Sequence, residues 1–140
     1  MFRLTKKAGY GLMALKYIAT YAGDGALRAR EIAEAYSISP QLLTKSLQRL
    51  AKAGIVRSRA GIKGGYSLPR PPRQISAFDI VRAIDGPLFL ASCEKGCEMT
   101  KRRTIKRPLA RVNGSILDLL RRISVAVFPS RHKNQELESC

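Results

Sequence analysis

Five side chains able to donate hydrogen bonds recur at i, i+3, i+4, i+7 and i+11 from position 41: Gln41, Thr44, Lys45, Gln48 and Lys52. On a helix that spacing makes one polar stripe, and amide, hydroxyl and ammonium groups are the donors that read base edges or hold phosphates. The second set with chemical potential is thiol. Cys93 and Cys97 stand four residues apart, and the remaining cysteine, Cys140, shares the C-terminal segment with the one histidine, His132. No H-E-x-x-H, no phosphate-binding glycine loop and few carboxylates accompany them. The sequence therefore lacks a convergent acid–base set and argues against an enzyme.

The elements that must position the polar stripe are legible. Residues Ala29–Tyr36 read as a short helix carrying Ile32, Ala33 and Ala35, and the chain turns through Ser37-Ile38. Ser39 is placed as an N-cap and Pro40 at the first helical position, where a missing N–H costs nothing. A helix over Pro40–Ala53 follows, with Leu43, Leu47, Leu50 and Ala51 as its buried stripe and Gly54 closing it in a left-handed conformation. Two short helices with a tight turn, the second polar and basic outside, make a helix-turn-helix. Ile55-Val56 and Tyr66-Ser67-Leu68 then read as two strands around Arg57–Gly65, with Gly64-Gly65 tolerating the reversal and Arg57, Arg59 and Lys63 near the tip. Such a wing can lie over a phosphate backbone or send an arginine into a minor groove.

Outside this unit, Thr5 is expected to cap a first helix with Ala8, Leu12, Leu15, Ala19 and Ala22 on its apolar face. Ser76 opens a helix over Ala77–Ile84 that ends at Gly86-Pro87. A charged loop, Ser92–Arg107, holds the two cysteines. After Pro108, Leu109, Val112, Ile116, Leu119, Leu120, Ile123 and Val127 form one apolar stripe, stopped by Pro129. That stripe must pack back on the domain or on the same helix of a second chain. The expected fold is mostly α with a small β-hairpin wing. Residues 1–86 form a winged helix-turn-helix domain, 87–107 a sensor-type loop, 108–128 a dimerisation helix and 129–140 a flexible tail.

Composition agrees. The 140 residues hold 26 Lys plus Arg against 10 Asp plus Glu, for a net charge of +16, and 45% are hydrophobic. The apolar content excludes a disordered polycation, and three cysteines argue against an extracellular disulfide scaffold. From Ala35 to Phe78 there is no carboxylate, while Lys45, Arg49, Lys52, Arg57, Arg59, Lys63, Arg70 and Arg73 fall inside that window. A one-sign surface of this density suits a polyanion. Arg3, Lys6 and Lys7 before Ala8–Leu15 imitate a secretory signal, but Lys16 interrupts the apolar run. No stretch approaches the roughly 18 apolar residues of a membrane span, so the reading is a soluble, cytoplasmic protein with no membrane partner.

The blocks FRLTKKAGYGLMAL, IAEAYSISPQLLTKSLQRLAKAGIVRSRAGIKGGYSL and ISAFDIVRAIDGPL, in this order and spacing, resemble the Rrf-type (BadM-like) winged-helix transcription regulators of bacteria over about residues 1–128. That family includes the iron–sulfur cluster regulator, the nitric-oxide-sensing repressor and the cysteine-metabolism repressor. The most specific pieces are Ala53–Val56 and Gly64–Leu68. The resemblance implies a homodimeric repressor on a palindromic operator in double-stranded DNA, with Pro40–Ala53 in the major groove and the C-terminal helices packed together. It assigns Thr5, Lys7 and Tyr10 to the DNA backbone, Gln41, Thr44 and Lys45 to base readout with Gln48 and Arg49 beside them, and Arg59 and Lys63 to the wing. Gly64, Gly65 and Tyr66 would shape the hairpin. Here the wing order is Arg59-Ala60-Gly61, whereas many members place Arg directly before Gly, so the arginine's target is shifted.

The second departure concerns sensing. Cluster-binding members carry three cysteines in the loop before the dimer helix, and this loop has only Cys93 and Cys97. Thiolates are the soft donors of an iron–sulfur centre, and two cannot close a Cys-rich site. A two-iron, two-sulfur cluster would need Cys140 or His132 brought back from the tail. The alternatives are a reversible disulfide favoured by basic neighbours such as Lys95, a ligand-sensing protein without a cluster, or two inert thiols with no cofactor. The competing class is a basic RNA-binding or ribosome-associated protein. Tyr10, Tyr17, Tyr21, Tyr36 and Tyr66 read as scattered, without the aromatic platform RNA-binding sheets use.

Overall fold

The computed structural model describes residues 4–88 and 103–127. Helix α1 (Lys6–Tyr21) starts where Thr5 Oγ1 accepts the Ala8 N–H at 3.1 Å, as the sequence predicts. Its innermost face is Ala8, Gly11, Ala14, Leu15 and Ile18, whereas Leu12, Ala19 and Ala22 are only half-buried. The expected stripe is rotated because α1 approaches its neighbours through small residues. A Cβ at Gly11 would collide with Ile84 Cδ1 and sit 3.5 Å from Leu50 Cδ1. Close backbone approach therefore decides the face, and the larger Leu12 goes to the rim.

Helix α2 (Ala29–Tyr36) has the predicted bounds, and Ser37 at φ 53° turns the chain into α3 (Pro40–Lys52). Pro40 opens α3 as predicted, but Ser39 caps it without a side-chain hydrogen bond. The C-terminus is a Schellman motif. Gly54, at φ 76°, donates to Ala51 O at 3.0 Å and Ile55 donates to Leu50 O at 2.9 Å. This motif explains a correction to the wing. Ile55 and Val56 are buried core residues rather than strand, so β1 is Arg57–Arg59 and pairs antiparallel with β2, Gly65–Ser67. The register sets Arg57 opposite Ser67 and Arg59 opposite Gly65, which puts Arg57 at the base of the hairpin rather than near its tip.

Gly65 is required twice over: its φ is 142°, and a Cβ there would lie 2.6 Å from the Leu27 carbonyl carbon. The second requirement arises because Leu27 joins the hairpin as a third strand position. Its N–H donates to Tyr66 O at 2.9 Å, and Tyr66 N–H donates to Leu27 O at 2.7 Å.

A 3-10 turn at Pro72–Gln74 leads to α4 (Ala77–Asp85), started by a reciprocal capping box between Ser76 and Asp79, both bonds 3.1 Å. Helix α5 runs over Arg103–Arg122. It therefore begins before the expected Pro108, which lies inside it at the loss of one backbone hydrogen bond. Residues 103–107, read from sequence as loop, are its first turn and more. The helix also stops earlier than the apolar stripe suggests. Past Arg122 the chain folds back: Ala77 N–H donates to Ile123 O at 2.8 Å and Val125 N–H to Ile75 O at 2.9 Å. Val125, in a 3-10 turn Val125–Val127, is wholly buried in the core with Leu15, Leu43, Leu47, Leu50, Ile80 and Ile84. The expected stripe is thus not one buried face: Val125, outside it, closes the core, while its members Val112, Leu119 and Val127 are left 51%, 59% and 70% exposed.

Candidate nucleic-acid interface

Helix α3 buries Leu43, Ser46, Leu47 and Leu50 and turns Gln41, Lys45, Gln48, Arg49 and Lys52 to solvent. The N-terminus of α1 lies alongside, held by a bond that sequence reasoning missed: buried Ser46 Oγ donates to Lys7 O at 3.2 Å. Lys7, Lys45, Gln48, Arg49 and Lys52 consequently line one open groove with no carboxylate among them. Four cations converging on a groove raise the local concentration of any polyanion. Within the described residues, the ion pairs are Arg30–Glu34 and Arg121–Asp118, both elsewhere, so the groove's charge is not neutralised internally.

Not every residue of the expected set has its polar group free. Thr44 is half-buried and its hydroxyl donates to Pro40 O at 2.7 Å, one turn back. Arg49 reaches across to α4, where its guanidinium donates to Ile84 O at 2.5 Å. Thr5 caps α1 and also donates to Asp85 Oδ1 at 2.6 Å. Tyr10 packs half-buried against the core. Spacing within one helix gives no sign of these partners, since Ile84 and Asp85 are 35 and 80 residues away. Lys7, Gln41, Lys45, Gln48 and Lys52 remain exposed, as do Arg59 and Lys63 of the wing. Gly64 is buried and packs against Gly61 O, and Tyr66 anchors the hairpin through Leu27. Arg28, also not anticipated, donates to Ile62 O in the wing turn at 2.5 Å.

Three tyrosines that the sequence scatters are brought together. Tyr17 lies 4.6 Å from Tyr21 and 5.8 Å, edge-on, from Tyr36, ring centre to ring centre. Tyr17 and Tyr36 pack on the core, so their rings serve each other and the interior rather than a stacking platform. Burial, and secondarily Tyr17, raises the Tyr36 hydroxyl above its ordinary pKa of 10.0.

Residues 4–129 match the family model Rrf2, described as an iron-dependent transcriptional regulator. The chain belongs to the Rrf2 family. A Rhizobium meliloti relative, Protein aau3, is 39% identical over 97 residues, which are 69% of this chain and 62% of that protein. A Mycobacterium tuberculosis protein named as an HTH-type transcriptional regulator is 41% identical over 86 residues, covering 61% of this chain and 53% of its own length. The matched part is thus under two thirds of these curated relatives. Among solved structures, CymR, the global cysteine regulator of B. subtilis, superposes with a TM-score of 0.73 at 28% identity, covering 90% of this chain and 95% of CymR. T. potens IscR does so with 0.67 at 31% identity, covering 89% and 83%.

As an Rrf2 regulator, the chain carries the DNA-binding winged helix of its family, and the M. tuberculosis and B. subtilis proteins are themselves named as regulators. Cys93, Cys97, His132 and Cys140 lie outside the described residues. Among the described residues no group of three or more His, Cys, Asp or Glu is arranged to hold a metal, and no helix is long and apolar enough to cross a membrane. The donor set in the loop, two thiols, falls short of what an iron–sulfur centre needs.

Proposed function

We propose that the protein is a cytoplasmic, sequence-specific repressor that binds a palindromic operator in double-stranded DNA as a homodimer. The observation that carries this reading is the carboxylate-free groove of Lys7, Lys45, Gln48, Arg49 and Lys52 beside an exposed basic hairpin. Helix α3 enters the major groove. Gln41 and Lys45 read base edges, Thr44 offers its methyl and its remaining acceptor capacity, and Gln48 lies beside them. Lys7 and Lys52 hold phosphates, with Thr5 and Tyr10 framing the α1 end. Arg59 and Lys63 follow the flanking backbone or minor groove, with Gly64, Gly65 and Tyr66 fixing the hairpin's shape. Arg49 serves both the groove and the α3–α4 joint.

The partner for α5 is a second copy of the chain, because Val112 and Leu119 leave an apolar strip on a helix already tied to its own domain through Arg121 over Phe78, 4.4 Å from the ring centre. Two recognition helices in such a dimer address half-sites about 34–36 Å apart. The response to a signal resides in the Cys93/Cys97 segment, as a thiol–disulfide or ligand response without a resident cluster.

Selection of DNA from a random pool by the full chain, followed by footprinting, tests the reading. The expected result is an enriched two-fold symmetric site bound far more tightly than unselected DNA. Equal affinity for the enriched pool and random DNA, or preferential binding of RNA, would reject it.

A further inference from the structure

The most exposed large apolar residue among the described residues is Ile62, at 92%. It stands in the wing turn, between Gly61 at φ 100° and Lys63, with Arg59 ending the preceding strand. An isolated exposed isoleucine needs no explanation by itself. This one stands on a turn whose backbone is held by several hydrogen bonds. Arg28, at the start of α2, donates to the Ile62 carbonyl at 2.5 Å. The Arg28 backbone is fixed in turn by its N–H bond to Glu31 Oε2 at 2.7 Å, and the hairpin is tied down by the paired Leu27–Tyr66 bonds. A protruding β-branched side chain, with few rotamers and a pinned backbone, loses little entropy on burial.

We propose that Ile62 is a specificity-determining wedge: it enters the minor groove at the flank of each half-site and presses its side chain against a base step, with Arg28 as the residue that positions the tip. The proposal rests on the DNA-binding reading above. Lys63 and Arg59 supply the phosphate attraction on either side of the apolar tip, the arrangement by which minor-groove proteins combine charge with an apolar wedge. Opening a step is cheapest at flexible pyrimidine–purine steps, so selected sites carry TA or CA/TG under the wing.

The test uses the full chain and the DNA enriched from the random pool. Ile62→Ala is expected to bind that DNA about tenfold more weakly while keeping the wild-type slope of log affinity against log salt, because an apolar contact releases no counterions. Lys63→Ala should instead flatten the slope by about 1.8, which is about 0.9 for each of the dimer's two wings. Arg28→Ala should reproduce the Ile62→Ala loss, and the double variant should lose no more than either. With 2-aminopurine in the step under the wing, wild-type protein raises the fluorescence and Ile62→Ala does not. Wild-type affinity for Ile62→Ala, or a loss accompanied by a flattened slope, overturns the wedge while leaving the DNA reading standing. Strict additivity of the two variants overturns the role given to Arg28. Failure to enrich any sequence removes the DNA reading and this inference with it.

Discussion

Arg49, on the helix that faces the proposed DNA site, donates a hydrogen bond to the main-chain oxygen of Ile84 at 2.5 Å. The acceptor is one of the last carbonyls of α4, which has no intrahelical partner of its own to satisfy it and carries the negative end of the helix dipole. One cation therefore fixes the spacing of two helices and contributes to the field of the groove. Its neighbour Lys45 has no such tie and is free for a phosphate or a base.

These two cations are expected to separate on substitution. Arg49→Ala should lower stability by on the order of 1 kcal/mol, discounted for the side chain's exposure, or about 4 °C in Tm. Lys45→Ala should leave Tm unchanged and weaken operator binding. Thermal melts beside salt-dependent binding curves check both, and a Tm drop for Lys45→Ala would mean the lysine is structural.

The Thr5–Asp85 bond, 2.6 Å, joins the start of α1 to the end of α4. Asp85→Ala removes the acceptor but leaves the Thr5 cap on Ala8 intact. The expected effect is a small stability loss, about 0.5–1.5 kcal/mol, with faster hydrogen exchange confined to the first turn of α1. Unchanged exchange there would show that the cap alone fixes the helix start.

The helices of the winged domain were legible because their signals are local: Thr5 and Ser76 as caps, Pro40 at a first turn, Gly54 after a last one. The polar stripe of α3 was legible for the same reason, since periodicity alone places Gln41, Lys45 and Gln48 on one face. What escaped was set by partners distant in sequence. The inner face of α1 follows from Gly11 meeting α4, the wing begins late because Ile55 and Val56 close the α3 cap, and Arg49 and Thr5 are engaged by α4. Val125 belongs to the core because its N–H bonds to Ile75, 50 residues upstream; no periodicity records such a return.

Tyr36 gives an alkaline signature. Its folded-state pKa is raised, by burial first and by Tyr17 second, so its contribution to stability is present below about pH 10 and is lost as pH rises through the elevated folded value. Tyr36→Phe should flatten the fall in stability over that range. If denaturant midpoints of the two proteins decline in parallel above pH 10, the hydroxyl is not the cause.

The thiol segment makes a chemical prediction. With two cysteines in the loop, anaerobically purified protein should be colourless and free of stoichiometric iron, and a thiol assay after mild oxidant should show the loss of two thiols, restored by reductant. A brown protein with bound iron and sulfide would mean that two further ligands, with Cys140 and His132 the candidates in the tail, complete a cluster with the loop thiols.

The split between the buried Val125 turn and the exposed face of α5 decides how the dimer can be tested. Truncation at Pro108 would remove Val125, which is wholly buried, and so would report on folding rather than on assembly. Leu119 is the better probe, because at 59% exposure its replacement leaves the domain's own packing nearly untouched. Leu119→Asp places a charge in the proposed interface without vacating the core, and a charge buried there without a partner costs far more than the lost apolar contact. The variant should sediment as a folded monomer, with an unchanged far-ultraviolet spectrum and operator affinity reduced at least a hundredfold, since each half-site would then be bound alone. A folded dimer with wild-type affinity would mean that α5 does not pair through this strip.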